Sequence, residues 1–227
     1  MIPEMLQAAL KETAAELAAD CQHWHWPNDG RDAPTPEHNL VAKLHTALKQ
    51  QSKDCKIYLE AVIKNRNGRV DMIVDTGTEL YIIEAKTAGG LRDTSLSCMA
   101  DLNSILDYKP LPSKNVDATE NPHPADNVQW NNKEKKVWAC IIIWSFRGDE
   151  VARAWESTNT DGTTLNLPGR KQTHEAFLEL RDQFLPDDRM AWSLELYDYW
   201  TEKGYFGKSA ILCGVKPLPR AVPEDIV

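Results

Sequence analysis

The chain has 227 residues, 42% hydrophobic and 26% charged, with a formal net charge of −8. That length suits one generous domain, or a core domain with an elaboration, and no apolar run approaches the ~20 residues of a membrane span. The acidic balance argues against a strongly basic, non-specific nucleic-acid coat, while leaving room for a local basic groove.

The N-terminus, MIPEMLQAALKETAAELAADC, lacks the apolar centre of a signal peptide. Pro3 to Ala19 reads as an amphipathic helix with Leu6, Ala9, Leu10, Thr13 and Leu17 on one face. Cys21-Gln-His-Trp-His-Trp26 follows, then a turn-rich stretch from Pro27 to Pro36. Alternating His and Trp reads first as aromatic packing at the end of an element. Metal ligation by Cys21, His23 and His25, or base stacking, are the weaker readings. The five cysteines (Cys21, Cys55, Cys98, Cys140, Cys213) form no CxxC pair, so neither a zinc knuckle nor an iron–sulfur cluster is indicated. A reducing cytoplasm is their simplest setting.

Thr35-Pro36-Glu37 starts a helix: Thr35 can cap, Pro36 fits the first helical position, and an early acid suits the dipole. The helix runs to about Gln50. Glu37, Val41, Leu44 and Leu48 follow helical spacing, so Glu37 projects from the buried stripe. It is either a first-turn acid supporting the macrodipole or a further carboxylate aimed at the sheet.

Three strands come next. Lys56 to Lys64 is joined to Arg69–Asp75 through Asn67-Gly68, which suits a type I′ turn. Arg69–Asp75 is joined to Leu80–Lys86 through Gly77-Thr78, which suits a type II′ turn. The first turn predicts Lys64 opposite Asp71 and Glu60 opposite Asp75. The second predicts Thr76 opposite Glu79, Ile73 opposite Ile82 and Asp71 opposite Glu84. One face then carries Ile57, Leu59, Ala61, Ile63, Val70, Met72, Val74, Tyr81, Ile83 and Ala85, and must be core. The other carries Asp71, Glu84 and Lys86 among its residues.

Opposed acids destabilise a strand pair, with Cβ atoms roughly 4.5–5.5 Å apart. Burying them costs more unless something compensates. A hard cation such as Mg²⁺, held by carboxylate oxygens, is the usual compensation. A lysine one step along can orient a water or stabilise charge developing on phosphate. The plainer reading is an exposed sheet face with charges scattered over it.

After Thr87-Ala88-Gly89-Gly90 a helix is predicted from about Thr94-Ser95 to Tyr108, burying Leu96, Met99, Leu102, Ile105 and Leu106. Lys109 to Asn132 is a long, proline-rich polar loop. A basic tract from Lys133 leads into the apolar strand Val137 to Phe146, which suits a central position covered on both sides. Strand, helix and strand predict a right-handed crossover to a parallel neighbour. Glu150 to Ser157 reads as an edge strand, His174 to Leu185 and Met190 to Lys203 as helices, and Ser209 to Val215 as a short strand.

A helix with Glu37, an antiparallel meander carrying Asp71 and Glu84-Ala85-Lys86, a helix, then a parallel strand: this order resembles the PD-(D/E)XK nuclease superfamily. The resemblance implies an α/β fold with a restriction-endonuclease-like core, a mixed sheet flanked by helices in the order αβββαβ. Here it carries a helical C-terminal elaboration. The divisions would be residues 1–34, an N-terminal helix and aromatic loop; 35–157, the core; and 158–227, the elaboration. It further implies that Asp71 and Glu84 bind Mg²⁺ or Mn²⁺, with the Ala85 carbonyl a further ligand. Lys86 would serve the attacking water, and Glu37 would assist as the helix acid. Arg69-Val70 stands where a Pro often precedes the Asp.

The function expected is metal-dependent hydrolysis of phosphodiester bonds in nucleic acid, DNA foremost, by a cytoplasmic protein with no membrane partner. The alternative is a catalytically silent domain of the same fold that binds nucleic acid or protein, a homodimer included. An unrelated fold with a chance ExK is a third reading. Because the chain is acidic, a basic rim of Lys64, Lys133, Lys135 and Lys136 is expected to hold the polyanion.

Overall fold

The computed structural model describes residues 3–23, 37–62, 69–87, 91–106, 135–145, 179–180, 191–200 and 206–218. Their elements are α1 (Glu4–His23), α2 (Glu37–Gln51), β1 (Lys56–Val62), β2 (Arg69–Asp75), β3 (Glu79–Thr87), α3 (Leu91–Leu106), β4 (Lys136–Ser145), β5 (Ala191–Trp200) and β6 (Phe206–Pro217). The strands form one six-stranded mixed sheet in the order β1-β2-β3-β4-β6-β5. β3 and β4 are parallel and every other neighbouring pair is antiparallel.

Helices cover both faces. On one side Leu6, Leu10, Leu17 and Cys21 of α1 and Leu40, Leu44 and Leu48 of α2 pack on Met72, Val74, Tyr81, Ile83, Ala85, Cys140, Ile142 and Trp144. On the other, Cys98, Leu102 and Ile105 of α3 pack on Ile73, Leu80, Ile82, Ala139, Ile141 and Ile143. This double cover explains the unbroken apolar run of β4: successive residues alternate between two cores, so none has to be polar. The five cysteines are free thiols inside these cores. Burial pushes the Cys21 thiol up to about 12, helped by the neighbouring Asp20 carboxylate.

The β2–β3 register agrees with the turn chemistry. Ile73 pairs with Ile82 and Val74 with Tyr81, and the Thr76 N–H donates to the Glu79 carbonyl at 3.0 Å. Gly77 has φ +93°, which a glycine reaches without strain, as the tight loop requires.

Four expectations need correcting. The β1–β2 register is offset by four residues, since Lys56 rather than Glu60 pairs with Asp75 and Tyr58 pairs with Ile73. Counting between Leu59↔Met72 and Ala61↔Val70 puts Glu60, not Lys64, level with Asp71. An even offset keeps every side chain on its own face, so the hydrophobic pattern does not distinguish the two registers. Second, on the face expected to be one core, Val70 and Ala61 join the α3-side core, not the α1/α2 side, and Leu59 is 46% exposed. Beside Ala61, Glu60 has φ +51°, a left-handed conformation inside β1.

Third, the predicted helix Met190–Lys203 is strand β5. Trp192-Ser-Leu-Glu-Leu196 alternates apolar and polar residues at strand period, and β6 supplies a partner along its length. The C-terminal region therefore extends the sheet there instead of adding a helix. Fourth, Leu96 is 45% exposed, because α3 turns Thr94, Ser95, Cys98, Leu102 and Ile105 inward instead. Residues 179–180 are helical, inside the predicted His174–Leu185. The remainder of that helix, the strand Glu150–Ser157 and the loop Lys109–Asn132 lie outside the described residues.

Candidate active site

The site forms where β2 and β3 part. Hydrogen-bonded pairs alternate along an antiparallel ladder. Thr76–Glu79 is such a pair, so Val74–Tyr81 and Met72–Ile83 follow, and Val70–Ala85 would be next. It is not made. The Ala85 N–H instead donates to Asp71 Oδ2 at 2.7 Å. A side-chain carboxylate thus ends the ladder, and Asp71 is level with Glu84 in the register expected. The N–H and C=O of one strand residue point to the same neighbour, so the Ala85 carbonyl also faces the β2 side, where Asp71 stands.

Glu84 is 3% exposed, a carboxylate in the floor of the sheet. Lys86, two residues on, projects from the same face of β3. Its Nζ donates to Glu37 Oε1 at 3.2 Å and lies 3.4 Å from Asp101 Oδ2 and 3.9 Å from Glu84 Oε2. Glu37 is the first residue of α2 and Asp101 lies in α3, so acids from both helical layers meet at one ammonium. Burial draws Lys86 toward neutrality. The carboxylates of Glu37, Asp101, Asp71 and Glu84 outweigh it together and hold the pKa above the ordinary lysine value. Burial lifts the Glu37 carboxyl, against the pull of Lys86, and Asp71 and Asp101 raise it further.

All five residues that the resemblance assigns to the site, Glu37, Asp71, Glu84, Ala85 and Lys86, are therefore brought together. Asp101 is a further member that the sequence reading missed. The signal was present: Asp101 stands seven residues after Thr94 and three after Cys98, on the stripe that α3 buries. An acid on a buried helical stripe is as informative there as Glu37 is in α2.

The basic rim is placed differently. Lys64 and Lys133 lie outside the described residues. Lys136 pairs with Glu79 at the start of β3, whereas Lys86 is level with Ile143. At about 3.3 Å per residue, that separates Lys136 from Lys86 by roughly 23 Å along the sheet. Lys135 is at the same far end, bound to Asp75. Of the His23–Trp26 cluster, His23 is exposed on the last turn of α1 while Cys21 is in the core, and Trp24 to Trp26 lie outside the described residues.

The donor chemistry fits a hard divalent cation. Asp71 and Glu84 offer carboxylate oxygens across one strand pair, and the Ala85 carbonyl faces the same gap. Among the described residues no three His, Cys, Asp or Glu side chains form a ready-made cage. Mg²⁺ does not require one, since it binds through one or two carboxylates and keeps several waters.

Comparison with protein-family models, with curated proteins and with solved structures gave no match to this chain. Among the described residues no helix is long and apolar enough to cross a membrane.

Proposed function

We propose that this chain is a divalent-metal-dependent nuclease with a restriction-endonuclease-like core of the PD-(D/E)XK kind, hydrolysing phosphodiester bonds of nucleic acid, DNA foremost. The observation that carries the reading is the convergence of Asp71, Glu84, Ala85 and Lys86 where β2 and β3 part. The order α2-β1-β2-β3-α3-β4, with β4 parallel to β3, supports it.

Mg²⁺ or Mn²⁺ on Asp71 and Glu84, beside the Ala85 carbonyl, would supply Lewis-acid stabilisation of phosphate charge and a more acidic water. The protein's own part is positional and electrostatic. Asp71 is pinned to the β3 backbone at Ala85, the residue next to Glu84. Lys86, held as an ammonium by surrounding carboxylates, donates hydrogen bonds to the attacking water or to the phosphate oxygen on which charge develops. Glu37 and Asp101 fix where that ammonium sits.

The test is cleavage of a panel of single- and double-stranded DNA and RNA with Mg²⁺, Mn²⁺ or EDTA, for wild type and Asp71→Ala. Cleavage that needs the metal and is lost in Asp71→Ala supports the reading. Intact substrates throughout, or cleavage indifferent to EDTA and to Asp71, overturn it.

A further inference from the structure

Lys86 is gripped from both faces of the sheet. Glu37 reaches it at 3.2 Å from the α1/α2 layer and Asp101 at 3.4 Å from the α3 layer. Glu84 Oε2, on the ammonium's own strand, is the most distant of the three carboxylates at 3.9 Å. A close charged N–H···O contact is about 2.7–2.9 Å, so Lys86 stops roughly 1 Å short of a tight pair with Glu84.

That shortfall matters because Glu84 is the carboxylate a cation at this site would share with Asp71. An ammonium closed onto Glu84 would compete with the cation for the same group. Strand geometry does not keep the two apart, since residues two apart on a strand project from one face. The restraint comes from the helices. Asp101 is only 21% exposed at its side chain, and α3 is seated on the sheet through Cys98, Leu102 and Ile105, so its carboxylate is carried by a packed element.

We propose that Asp101, acting with Glu37, is a positioning residue that holds Lys86 away from Glu84 and so favours binding of a divalent cation by Asp71 and Glu84. The inference rests on the metal-binding part of the proposed function. It assigns Asp101 a role that neither the Asp, the ExK triplet nor the first-helix acid covers. It also gives the two helical layers a common task, the placement of one ammonium.

The experiment is Mn²⁺ binding by titration calorimetry to four forms of the full chain: wild type, Asp101→Asn, Lys86→Met and the double variant. Methionine keeps the stem of Lys86 and removes its charge. Neighbouring groups that act through one another give non-additive effects. Asp101→Asn should weaken Mn²⁺ about tenfold when Lys86 is present and less than about twofold when it is methionine. Equal weakening in both backgrounds would mean that Asp101 acts only as nearby negative charge, and would overturn the proposal while leaving metal binding intact. An unchanged affinity in Asp101→Asn would overturn it in the same way. No Mn²⁺ binding by wild type would remove the metal reading and this inference together. Circular dichroism checks each fold, and Asp101→Ser takes the place of the asparagine variant if that one fails to fold.

Discussion

Asp71 Oδ2 accepts the N–H of Ala85 at 2.7 Å, where the ladder rule assigns that N–H to the carbonyl of Val70. One side chain therefore ends a strand pairing and takes its own fixed position in the same bond. On the other side of β2, Glu60 is level with Asp71 and has φ +51°. The β2–β3 ladder thus ends at Met72↔Ile83, while the β1–β2 ladder resumes past Glu60 at Ala61↔Val70 and leaves Glu60 in a left-handed conformation. Strain of this kind costs on the order of 1–3 kcal/mol and persists where the surroundings over-determine it.

The first prediction separates the two duties of Asp71. Asparagine keeps an oxygen acceptor for Ala85 and removes the charge. Alanine removes both and orphans an N–H on a residue that is fully buried. Urea unfolding without metal should find Asp71→Ala less stable than Asp71→Asn by about 1–3 kcal/mol. Equal stability would mean the bond is dispensable. Calorimetry should find Mg²⁺ and Mn²⁺ binding lost in the Asp71→Ala, Glu84→Ala double variant, and binding equal to wild type would move the cation elsewhere.

The second concerns turnover. Lys86 is no ligand for a hard cation, so Lys86→Ala should retain metal binding and lose most activity, about 100-fold or more. Arginine should rescue poorly, because its planar fork has a different reach and geometry. Full activity in Lys86→Ala would take this residue out of the mechanism.

The third is a pH dependence with a definite sign. Burial lifts the Glu37 carboxyl above 4.5, so folding favours its protonated form. For such a group the folded state binds the extra proton, and stability falls as pH rises from 4.5 through the raised value. The stability of Glu37→Gln relative to wild type should therefore rise between pH 4 and pH 7, read by urea unfolding at each pH (a window of roughly three units about the ordinary carboxylate value). A relative stability that falls over that range would mean that the bond from Lys86 outweighs burial.

The sequence carried the β2–β3 hairpin clearly, because a two-residue loop with glycine first allows one register and the alternation of apolar residues agrees with it. That was enough to bring Asp71 and Glu84 level and to put Lys86 on their face. It did not carry the β1–β2 register, because an offset of four residues satisfies the same inward and outward pattern. Met190 to Lys203 reads as a helix in the sequence, whereas the alternation from Trp192 to Leu196 and the pairing with β6 make Ala191–Trp200 a strand. Asp101 was missed for a related reason. Placing Leu96 on the buried stripe of α3 rotates Asp101 away from the sheet, and the real stripe passes through Thr94 and Cys98 instead.

The last prediction concerns Lys135, which the sequence alone placed on a nucleic-acid rim. Its Nζ lies 2.8 Å from both carboxylate oxygens of Asp75, with the two side chains only 13% and 11% exposed. Asp75 Oδ1 also accepts the Gly77 N–H at 2.8 Å, and the Lys136 N–H donates to the Thr78 carbonyl at 3.1 Å. Lys135 therefore ties the tip of the β2–β3 hairpin to the start of β4, at the opposite end of the strands from Lys86. Removing one partner of a largely buried pair leaves the other charge poorly compensated. Lys135→Met should cost about 2–3 kcal/mol in urea unfolding. A lysine that contacts a phosphate contributes about 0.9 to the slope of log affinity against log salt. Lys135→Met should leave both nucleic-acid affinity and that slope unchanged under conditions where the variant is folded. A slope reduced by about one unit, with stability intact, would return Lys135 to the nucleic-acid surface. It would also mean that bound substrate extends the full length of the sheet, from the Asp71 end to the Asp75 end.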